Sequence, residues 1–278
     1  MKKNNIMKED WDFLVIVDAC RYDYFKKVYR KYLRGRLEKR ISLGHHTLVF
    51  CKNTFQRYYD DVIYISSSPY INGKGVKFEG WKAKDHFYKI VDVWDKGWDK
   101  EKRTVLPEVL SRFALREIKK NKNKRFIIHY MQPHYPYLSG SLIPKSIERK
   151  FLKQTGEAKK PNKTSIRFWV GDMMIKLFGE ESVWMVRKIM KEPPRDTFEY
   201  VWRYHRRNMD KLKILYYRNL EIVLKEVVKF INKLPEGKIV ITSDHGEGFG
   251  EHGVWLHNKN NLRRRILIEV PWFEVERK

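Results

Sequence analysis

Four short runs of consecutive apolar residues are the feature that most constrains how this chain can fold. They cover residues 13–17, 62–65, 126–128 and 239–241, and none of them alternates between apolar and polar positions. Continuous apolar runs of this length are typical of strands that are covered on both faces. The segments between the runs are long enough to hold crossover helices. The pattern therefore predicts an α/β fold, a mostly parallel central sheet with helices on both faces.

Two helices and an insertion complete the predicted organisation. Apolar residues recur at three- and four-residue spacing over 210–234 and again over 106–120. From about 140 to 204 the periodicity is looser, and Pro193 and Pro194 interrupt it. We interpret residues 1–278 as a single domain and 140–204 as an irregular helical insertion, expected to serve as a lid or a substrate-selecting element.

The chain carries a large excess of positive charge. Its 278 residues include 59 Lys and Arg against 34 Asp and Glu, a formal charge of +25. Such a charge favours an anionic partner, which is nucleic acid, an anionic lipid surface or a phosphorylated or acidic substrate. The basic run at 26–40 suits either a solvated helix face or a surface that binds anions.

The sequence shows neither an export signal nor a membrane span. The first twelve residues are charged and lack an apolar core, and no run of about 18 apolar residues occurs. A cytoplasmic protein is therefore expected, with peripheral contact to an anionic membrane surface as the alternative. The two cysteines do not form a Cys-x-x-Cys pair, so a disulfide framework or a cysteine zinc site is not expected.

Residues that can bind metal or substrate stand at or just after the end of each apolar run. They are Asp18, Ser66, His129 and the pair Asp244 and His245. The carboxyl ends of parallel strands meet at one edge of a sheet, and ligands bind at that edge in open α/β folds. We therefore expect these side chains to converge there.

The last of these positions opens a segment with metal-ligand spacing. A glycine-rich turn follows Asp244 and His245, and His252 and His257 come within 13 residues of Asp244. Carboxylate and imidazole donors together suit zinc or manganese. The alternative is a polar turn whose histidines cap helices or pack in the interior.

Three motifs resemble those of a known family. The segment 243–253 is similar to the second metal-binding motif of the sulfatase-like branch of the alkaline phosphatase superfamily. Residues 14–23 resemble the opening strand of that family, whose terminal aspartate binds metal, and 129–137 resemble its central His and Pro-His-x-Pro-Tyr segment. The motifs occur in family order. The phrases at 17–23 and 270–272 are most similar to an archaeal subgroup.

The resemblance implies a metal site with a hydroxyl nucleophile. It makes Asp18, Asp244 and His245 ligands of zinc or manganese, with one or two ions at the site. It places the nucleophile on the metal at the start of a helix, where Thr47 fills the role and Ser42 is the alternative. In the structural alternative Thr47 is only a helix N-cap. The remaining candidates would bind substrate or a second metal: His129, His134, His252, His257 and Arg21.

The resemblance also implies a reaction. Sulfatases of this fold carry Cys-x-Pro-x-Arg or Ser-x-Pro-x-Arg, and neither Cys20 nor Cys51 stands in that context. We therefore expect a metal-dependent hydrolase or transferase of phosphate esters, acting on phosphomonoesters, phosphodiesters or phosphoethanolamine-type groups. A sulfate-ester hydrolase is the first alternative, and a non-catalytic protein that binds nucleic acid or an anionic surface is the second. The expected partner is an anionic phosphoester or sulfoester, glycan- and lipid-linked esters included, with no stable nucleic-acid partner.

Overall fold

A seven-stranded sheet organises the computed structural model, which describes residues 1–141, 180–192, 194, 197–205, 209–257 and 264–277. Two short two-stranded sheets accompany it in this part of the chain. The described strands are, in chain order, β1 (Phe13–Val17), β2 (Gly35–Ile41), β3 (Tyr59–Ser66), β4 (Phe87–Asp92), β5 (Trp98–Asp99), β6 (Thr104–Val105), β7 (Arg125–Tyr130), β8 (Ile239–Thr242), β9 (Gly248–Phe249), β10 (Trp255–Leu256) and β11 (Glu269–Val275).

Helices fill most of the connections. The described helices are α1 (Tyr22–Val28), α2 (Thr47–Thr54), α3 (Val93–Lys96), α4 (Pro107–Lys120), α5 (Glu180–Ile189), α6 (Thr197–His205), α7 (Asp210–Ile231) and α8 (Arg265–Ile268). The helices predicted over 106–120 and 210–234 are thus confirmed as α4 and α7. α4 begins with Pro107, whose fixed φ and missing N–H suit the first helical position. α7 ends at Ile231, three residues before the predicted end and ahead of Pro235.

The large sheet has the order β2-β11-β8-β1-β7-β3-β4. β1 pairs in parallel with both β7 and β8, and β3 pairs in parallel with β7 and β4. β11 runs antiparallel to both of its neighbours, so β2 points in the same direction as the parallel strands. The four predicted apolar runs are the central strands β1, β3, β7 and β8, and the prediction of a mostly parallel sheet is confirmed.

Helices cover both faces of the sheet, as predicted. Side chains alternate along β1, and Val15 and Val17 pack in a core with α1, α4 and α7. Leu14 and Ile16 point to the other face, where they share a core with α2. Because each face of β1 is covered by apolar contacts, every residue of this strand is apolar.

The predicted insertion is only partly described. Residues 142–179 lie outside the described residues. In the remainder, α5 and α6 pack together, with the rings of Trp184 and Trp202 5.7 Å apart, and α6 also lies against β10. The role of 140–204 as a lid stays a prediction. Among the described helices, none combines the length and the apolar character needed to cross a bilayer.

The basic run at 26–40 is not one helix face. It covers the end of α1, a 3-10 turn at Tyr29–Lys31 and the edge strand β2, so the helical interpretation is wrong for its second half. Acidic residues of β11 pair with cations of β2, with Arg36 2.8 Å from Glu274 and Lys39 3.1 Å from Glu269. Part of this charge is therefore already balanced within the sheet.

Candidate metal centre

Asp18 stands directly after β1 at the carboxyl edge of the sheet. Its N–H donates to the Tyr130 carbonyl of β7 (3.0 Å), so strand pairing determines where the carboxylate lies. The side chain is buried, and its Oδ1 has no hydrogen-bond partner in the part of the chain that the structure describes. Burial alone would raise the pKa of Asp18, but the imidazoles of His129 and His245, 3.5 and 3.4 Å from its carboxylate oxygens, hold this pKa well below its ordinary value. Asp18 is therefore a buried carboxylate anion.

Asp244 follows β8, the strand on the other side of β1. Its Oδ1 accepts the backbone N–H groups of Ala19 (3.1 Å) and His245 (3.0 Å), which leaves Oδ2 facing the site. The chain then turns sharply at Gly246, where a Cβ atom would lie 2.1 Å from the Ile266 carbonyl oxygen. Only glycine permits this close approach of two backbone segments.

His245 presents one ring nitrogen to both carboxylates. Its Nδ1 lies 2.7 Å from the Gly246 carbonyl and must donate to it, because a carbonyl only accepts. Its Nε2 lies 3.4 Å from Asp18 Oδ1 and 3.5 Å from Asp244 Oδ2. Burial would lower the pKa of His245, but the two carboxylates raise it to about 10. The pair of carboxylates thus requires positive charge at this nitrogen, either a proton or a metal cation.

Thr47 joins the cluster from α2, the helix that covers the face of the sheet on which Leu14 and Ile16 lie. It is the first residue of α2, and its Oγ1 donates to Asp244 Oδ2 at 2.8 Å and lies 3.4 Å from His245 Nε2. The N-cap of α2 is His46, so the alternative in which Thr47 is only an N-cap is wrong. A hydroxyl group thus lies at the N-terminus of α2, beside the carboxylate and imidazole atoms that follow β8.

The donor set fits a metal ion. One ligand atom each from Asp18, Asp244 and His245 lie within 4.8 Å of one another, and all three residues are buried. Asp18 Oδ1 and His129 Nε2 are buried polar atoms to which none of the described residues offers a hydrogen bond. Two carboxylates and one imidazole suit zinc or manganese better than calcium, which prefers oxygen throughout. The predicted convergence holds for Asp18, His129, Asp244 and His245. Ser66 ends β3, but its hydroxyl donates to the Ser68 carbonyl at 2.8 Å, and among the described side-chain contacts none joins it to the cluster.

His129 lies within β7 rather than after it, which corrects the predicted strand end. Its Nδ1 is 2.8 Å from the Tyr64 hydroxyl of β3. Its Nε2 points to the cluster, 3.5 Å from Asp18 Oδ2 and 3.9 Å from Asp244 Oδ2. Tyr64 therefore orients the ring, and nothing in the apolar run of β3 signalled this contact.

His134 and His257 form a second group beside the first. Their Nε2 atoms are 3.4 Å apart, while Nδ1 of His134 donates to the Tyr135 carbonyl and Nδ1 of His257 lies 3.0 Å from Glu247 Oε1. Burial lowers the pKa of both histidines, that of His257 to about 3, so both rings are neutral. With hydrogen on Nδ1, both rings present Nε2 lone pairs that can accept a proton or a cation.

Glu247 was not predicted as a site residue, although the resemblance motif contains it. Its carboxyl group is buried, and burial raises its pKa to about 7. By accepting from His257 it orients that ring, as carboxylates commonly do for metal-binding histidines. The sequence does offer a signal for Glu247, which is an acidic residue between Gly246 and Gly248 in the turn that follows His245.

Arg21 lies at the same edge, but its donors are occupied by the protein. Nε and Nη2 bind both oxygens of Asp23, at 2.9 and 2.8 Å. Nη1 donates to the Glu247 carbonyl (3.1 Å) and to Glu251 Oε1 (2.7 Å). The side chain is buried over the Phe249 ring. By these hydrogen bonds Arg21 holds the segment around Glu247 in position. Its role in substrate binding stays a prediction.

The remaining histidines are placed differently. His252 lies on the exposed 3-10 turn Glu251–Gly253, and among the described contacts none joins it to the cluster. His45 and His46 precede α2 with their ring centroids 4.8 Å apart. Burial lowers the pKa of His46 to about 3, which leaves a neutral ring beside Thr47.

α7 holds two loops of the site in position. The Tyr216 hydroxyl donates to the Ala19 carbonyl (2.7 Å) and accepts from the Arg21 N–H (2.9 Å). Asn219 is fully buried, and its Nδ2 donates to the carbonyl of Pro133 (3.1 Å) and that of His134 (3.2 Å). A polar residue on the apolar face of α7 was the unused signal for Asn219.

The sulfatase family model matches residues 44–273, which include every site residue described above except Asp18 and Arg21. The chain belongs to the sulfatase family. No protein of curated function matches this member of the family significantly.

Solved structures are similar to this chain at low sequence identity. A "putative sulfatase" from Bacteroides thetaiotaomicron has a TM-score of 0.51 at 11% identity, with 97% of this chain and 65% of that chain covered. The soluble domain of lipooligosaccharide phosphoethanolamine transferase A from Neisseria meningitidis has a TM-score of 0.42 at 14% identity, covering 95% and 75%. The C-terminal periplasmic domain of EptC from Escherichia coli, in complex with zinc, has a TM-score of 0.46 at 11% identity, covering 100% and 75%. The Bacteroides protein shows a shared fold only, and this chain spans 65% of its length.

Neither cysteine of this sulfatase-family chain belongs to the described group that could hold a metal ion. Cys51 lies one turn after Thr47 on α2, and Cys20 follows the β1 turn, where its N–H donates to Ser243 Oγ. Burial raises the pKa of both thiols well above their ordinary value. Both thiols are therefore protonated and enclosed.

Ser42, the alternative nucleophile, tethers two segments. Its hydroxyl donates to the Asp244 carbonyl, and its oxygen accepts the Gly44 N–H at 3.2 Å. The serine thus connects the end of β2 to the turn of Asp244 and His245, and Thr47 is the hydroxyl that faces the carboxylate and imidazole atoms.

Proposed function

We propose that this chain is a metal-dependent hydrolase or transferase of phosphate esters, with Thr47 as its nucleophile. The observation that carries the proposal is the position of Thr47 Oγ1, 2.8 Å from Asp244 Oδ2 and 3.4 Å from His245 Nε2 at the start of α2. A hydroxyl group in this position has both an acceptor for its proton and a helix N-terminus beside it.

Asp18, Asp244, His245 and the Thr47 hydroxyl would hold the ion, which we propose to be zinc or manganese. When bound, the ion lowers the pKa of the hydroxyl and offsets negative charge on the phosphoryl oxygens. His129 would either add a fifth protein donor or hydrogen-bond the substrate, since its Nε2 has no hydrogen-bond partner among the described residues.

The protein groups define the geometry of the attack. Asp244 Oδ2 accepts the Thr47 proton and thereby orients the oxygen lone pairs, and the first N–H groups of α2 offer donors to the phosphoryl oxygens. The new bond between Oγ1 and phosphorus forms as the bond to the leaving oxygen breaks. The leaving oxygen keeps the electron pair of that bond, takes a proton from water and departs as the alcohol, and the enzyme is left as a phosphothreonine. Water or an acceptor alcohol resolves it, and Nε2 of His134 or His257 accepts the incoming proton. Alternatively these two nitrogens bind a second metal.

The proposed substrate is an anionic phosphoester, glycan- or lipid-linked esters included. The charge of +25 supports an anionic substrate without selecting one. Sulfate-ester hydrolysis is the second candidate, and membership of the sulfatase family is the observation that favours it.

The experiment compares two threonines of the same helix. Thr47→Ala should abolish turnover of 4-nitrophenyl phosphate esters while the protein stays folded. Thr54→Ala, at the other end of α2 and also buried, should keep most of the activity. Mass spectrometry of the acid-quenched enzyme should find phosphate on Thr47.

The same assay distinguishes the alternatives. Phosphate and sulfate esters of one alcohol are compared, and metal content is measured by elemental analysis. A clear preference for sulfate, activity that depends on Cys51, or full activity of metal-free protein would overturn the proposal.

A further inference from the structure

α5 has an exposed apolar face. Met185, Val186, Ile189 and Met190 are 42%, 39%, 73% and 57% exposed. At about 100° per residue, these positions form an arc of about 140° on one side of the helix and its final turn. Four large apolar side chains in water form a continuous patch rather than scattered surface residues.

The opposite side of α5 is the one that packs on the protein. Trp184 is 2% exposed and lies against Trp202 of α6, with ring centroids 5.7 Å apart. α5 is therefore anchored through Trp184, and its apolar face is left for another surface.

Basic residues flank the apolar face. Lys188 borders the stripe on α5, Lys191 follows in the turn after the helix, and both are exposed. The chain as a whole carries a charge of +25. Arg187 lies on the other flank and pairs with Glu192 and Glu199, which orders the turn that follows α5. An apolar stripe bordered by cations complements an anionic lipid surface, because the cations attract headgroups while the stripe enters the acyl boundary.

We propose that the apolar face of α5 docks this protein on an anionic lipid bilayer. Met185, Val186, Ile189 and Met190 enter the interfacial layer, and Lys188 and Lys191 contact the phosphate groups of the lipids. A protein surface or a second copy would cover the apolar stripe equally well, but a second copy would bring another +25 charge beside these lysines.

The position of α5 ties this surface to the metal centre. Glu181 of α5 accepts a hydrogen bond from Trp255 Nε1 at 2.5 Å, and Trp255 lies on β10, two residues before His257. A docked α5 therefore holds the carboxyl edge of the sheet near the membrane. Docking of α5 on a bilayer does not depend on the proposed function. Only the idea that docking brings a lipid-linked ester to the site rests on that function.

The test is vesicle flotation with the full chain. Vesicles of phosphatidylcholine with 30% phosphatidylglycerol, about a third anionic lipid, are compared with pure phosphatidylcholine at low and at physiological salt. The wild type should float with the anionic vesicles. Met185→Ser with Ile189→Ser should lower the partition coefficient at least about tenfold, because both side chains are exposed and enter the interface. Val76→Ser removes a side chain that is 51% exposed elsewhere, and it should change the coefficient by less than about twofold.

Two further readouts make each outcome decisive. Lys188→Gln with Lys191→Gln should weaken binding to anionic vesicles without affecting the neutral ones. Turnover of a water-soluble ester should be the same in all these variants, so loss of docking is distinguishable from failure of the proposed chemistry. The proposal is overturned if the wild type does not float, if the serine pair binds as the wild type does, or if that pair converts a dimer into a monomer in light scattering.

Discussion

The buried cluster of Asp18, Asp244 and His245 and the basic run at 26–40 both concentrate charge, but the environments of these charges differ. Asp18, Asp244 and His245 are buried, and backbone hydrogen bonds determine where each side chain points. In the basic run, Arg36 pairs with Glu274 while 70% and 41% of these side chains remain exposed. Buried charges must be paired or bind a cation, whereas exposed charges are stabilised by water. Charge density alone therefore does not indicate a reactive site, and positioning by the backbone does.

The largest effect is expected from the cluster. Asp244→Asn keeps the shape and the Oδ1 contacts but removes the negative charge that binds the ion. We expect loss of bound metal and a fall in kcat on the order of 10³-fold, because metal binding contributes several kcal/mol of transition-state stabilisation. Elemental analysis and steady-state kinetics measure both.

The control for this variant is an aspartate at the other edge of the same sheet. Asp12 lies at the opposite end of β1 and accepts the Lys238 N–H at 2.7 Å. Asp12→Asn should leave metal content and kcat within about twofold, since an exposed, singly bonded carboxylate contributes little. Equal losses in both variants would show that the cluster has no special role.

The next effect tests how α7 positions the second histidine group. Asn219→Ala leaves the Pro133 and His134 carbonyls and the Leu138 N–H without their partner. Unsatisfied buried polar groups cost about 1–3 kcal/mol, and we expect a lower free energy of unfolding with about a tenfold loss of kcat/KM. Chemical denaturation and kinetics measure the two effects.

Asn121→Ala is the matched change at the far end of α4. Its Nδ2 donates to the Glu117 carbonyl at 2.9 Å in a half-buried position. It should lower stability slightly without changing kcat/KM. If Asn219→Ala affects stability alone, α7 supports the fold and does not position the site.

A smaller effect should follow from Ser42→Ala. This variant distinguishes the role of the Ser42 hydroxyl from that of the Thr47 hydroxyl. Loss of one hydrogen bond to the Asp244 carbonyl is expected to cost about 1 kcal/mol and less than tenfold in kcat. Ser111→Ala, a buried serine bonded to the Pro107 carbonyl and the Tyr130 hydroxyl, should leave kcat unchanged. Complete loss of turnover in Ser42→Ala would assign the nucleophile to Ser42.

The smallest effect is expected from the basic run. Lys26→Gln with Lys27→Gln should raise KM for an anionic substrate by less than about threefold, and only at low salt, because exposed charges are screened. Arg36→Gln should raise it less, since its partner Glu274 already offsets the charge. A large, salt-independent increase in KM would show that this surface binds substrate directly.

Much of the fold could be predicted because the central strands have a local signature. β1, β3, β7 and β8 are covered on both faces, so each requires a continuous apolar run. β2 and β4 are edge strands with mixed burial, and β11 pairs between strands distant in sequence. No short-range pattern distinguishes such strands from loops.

The sequence by itself determined which donors stand at the strand ends, because Asp18, Asp244 and His245 follow apolar runs within a few residues. Only the tertiary structure decided what each polar side chain faces. Arg21 is occupied by Glu251, 230 residues away, and Asn219 reaches the loop of His134, 85 residues away. Such partners meet only when the sheet and α7 have packed. Hydrogen bonds between segments that are distant in sequence do not produce a regular residue spacing, so the sequence pattern cannot predict them.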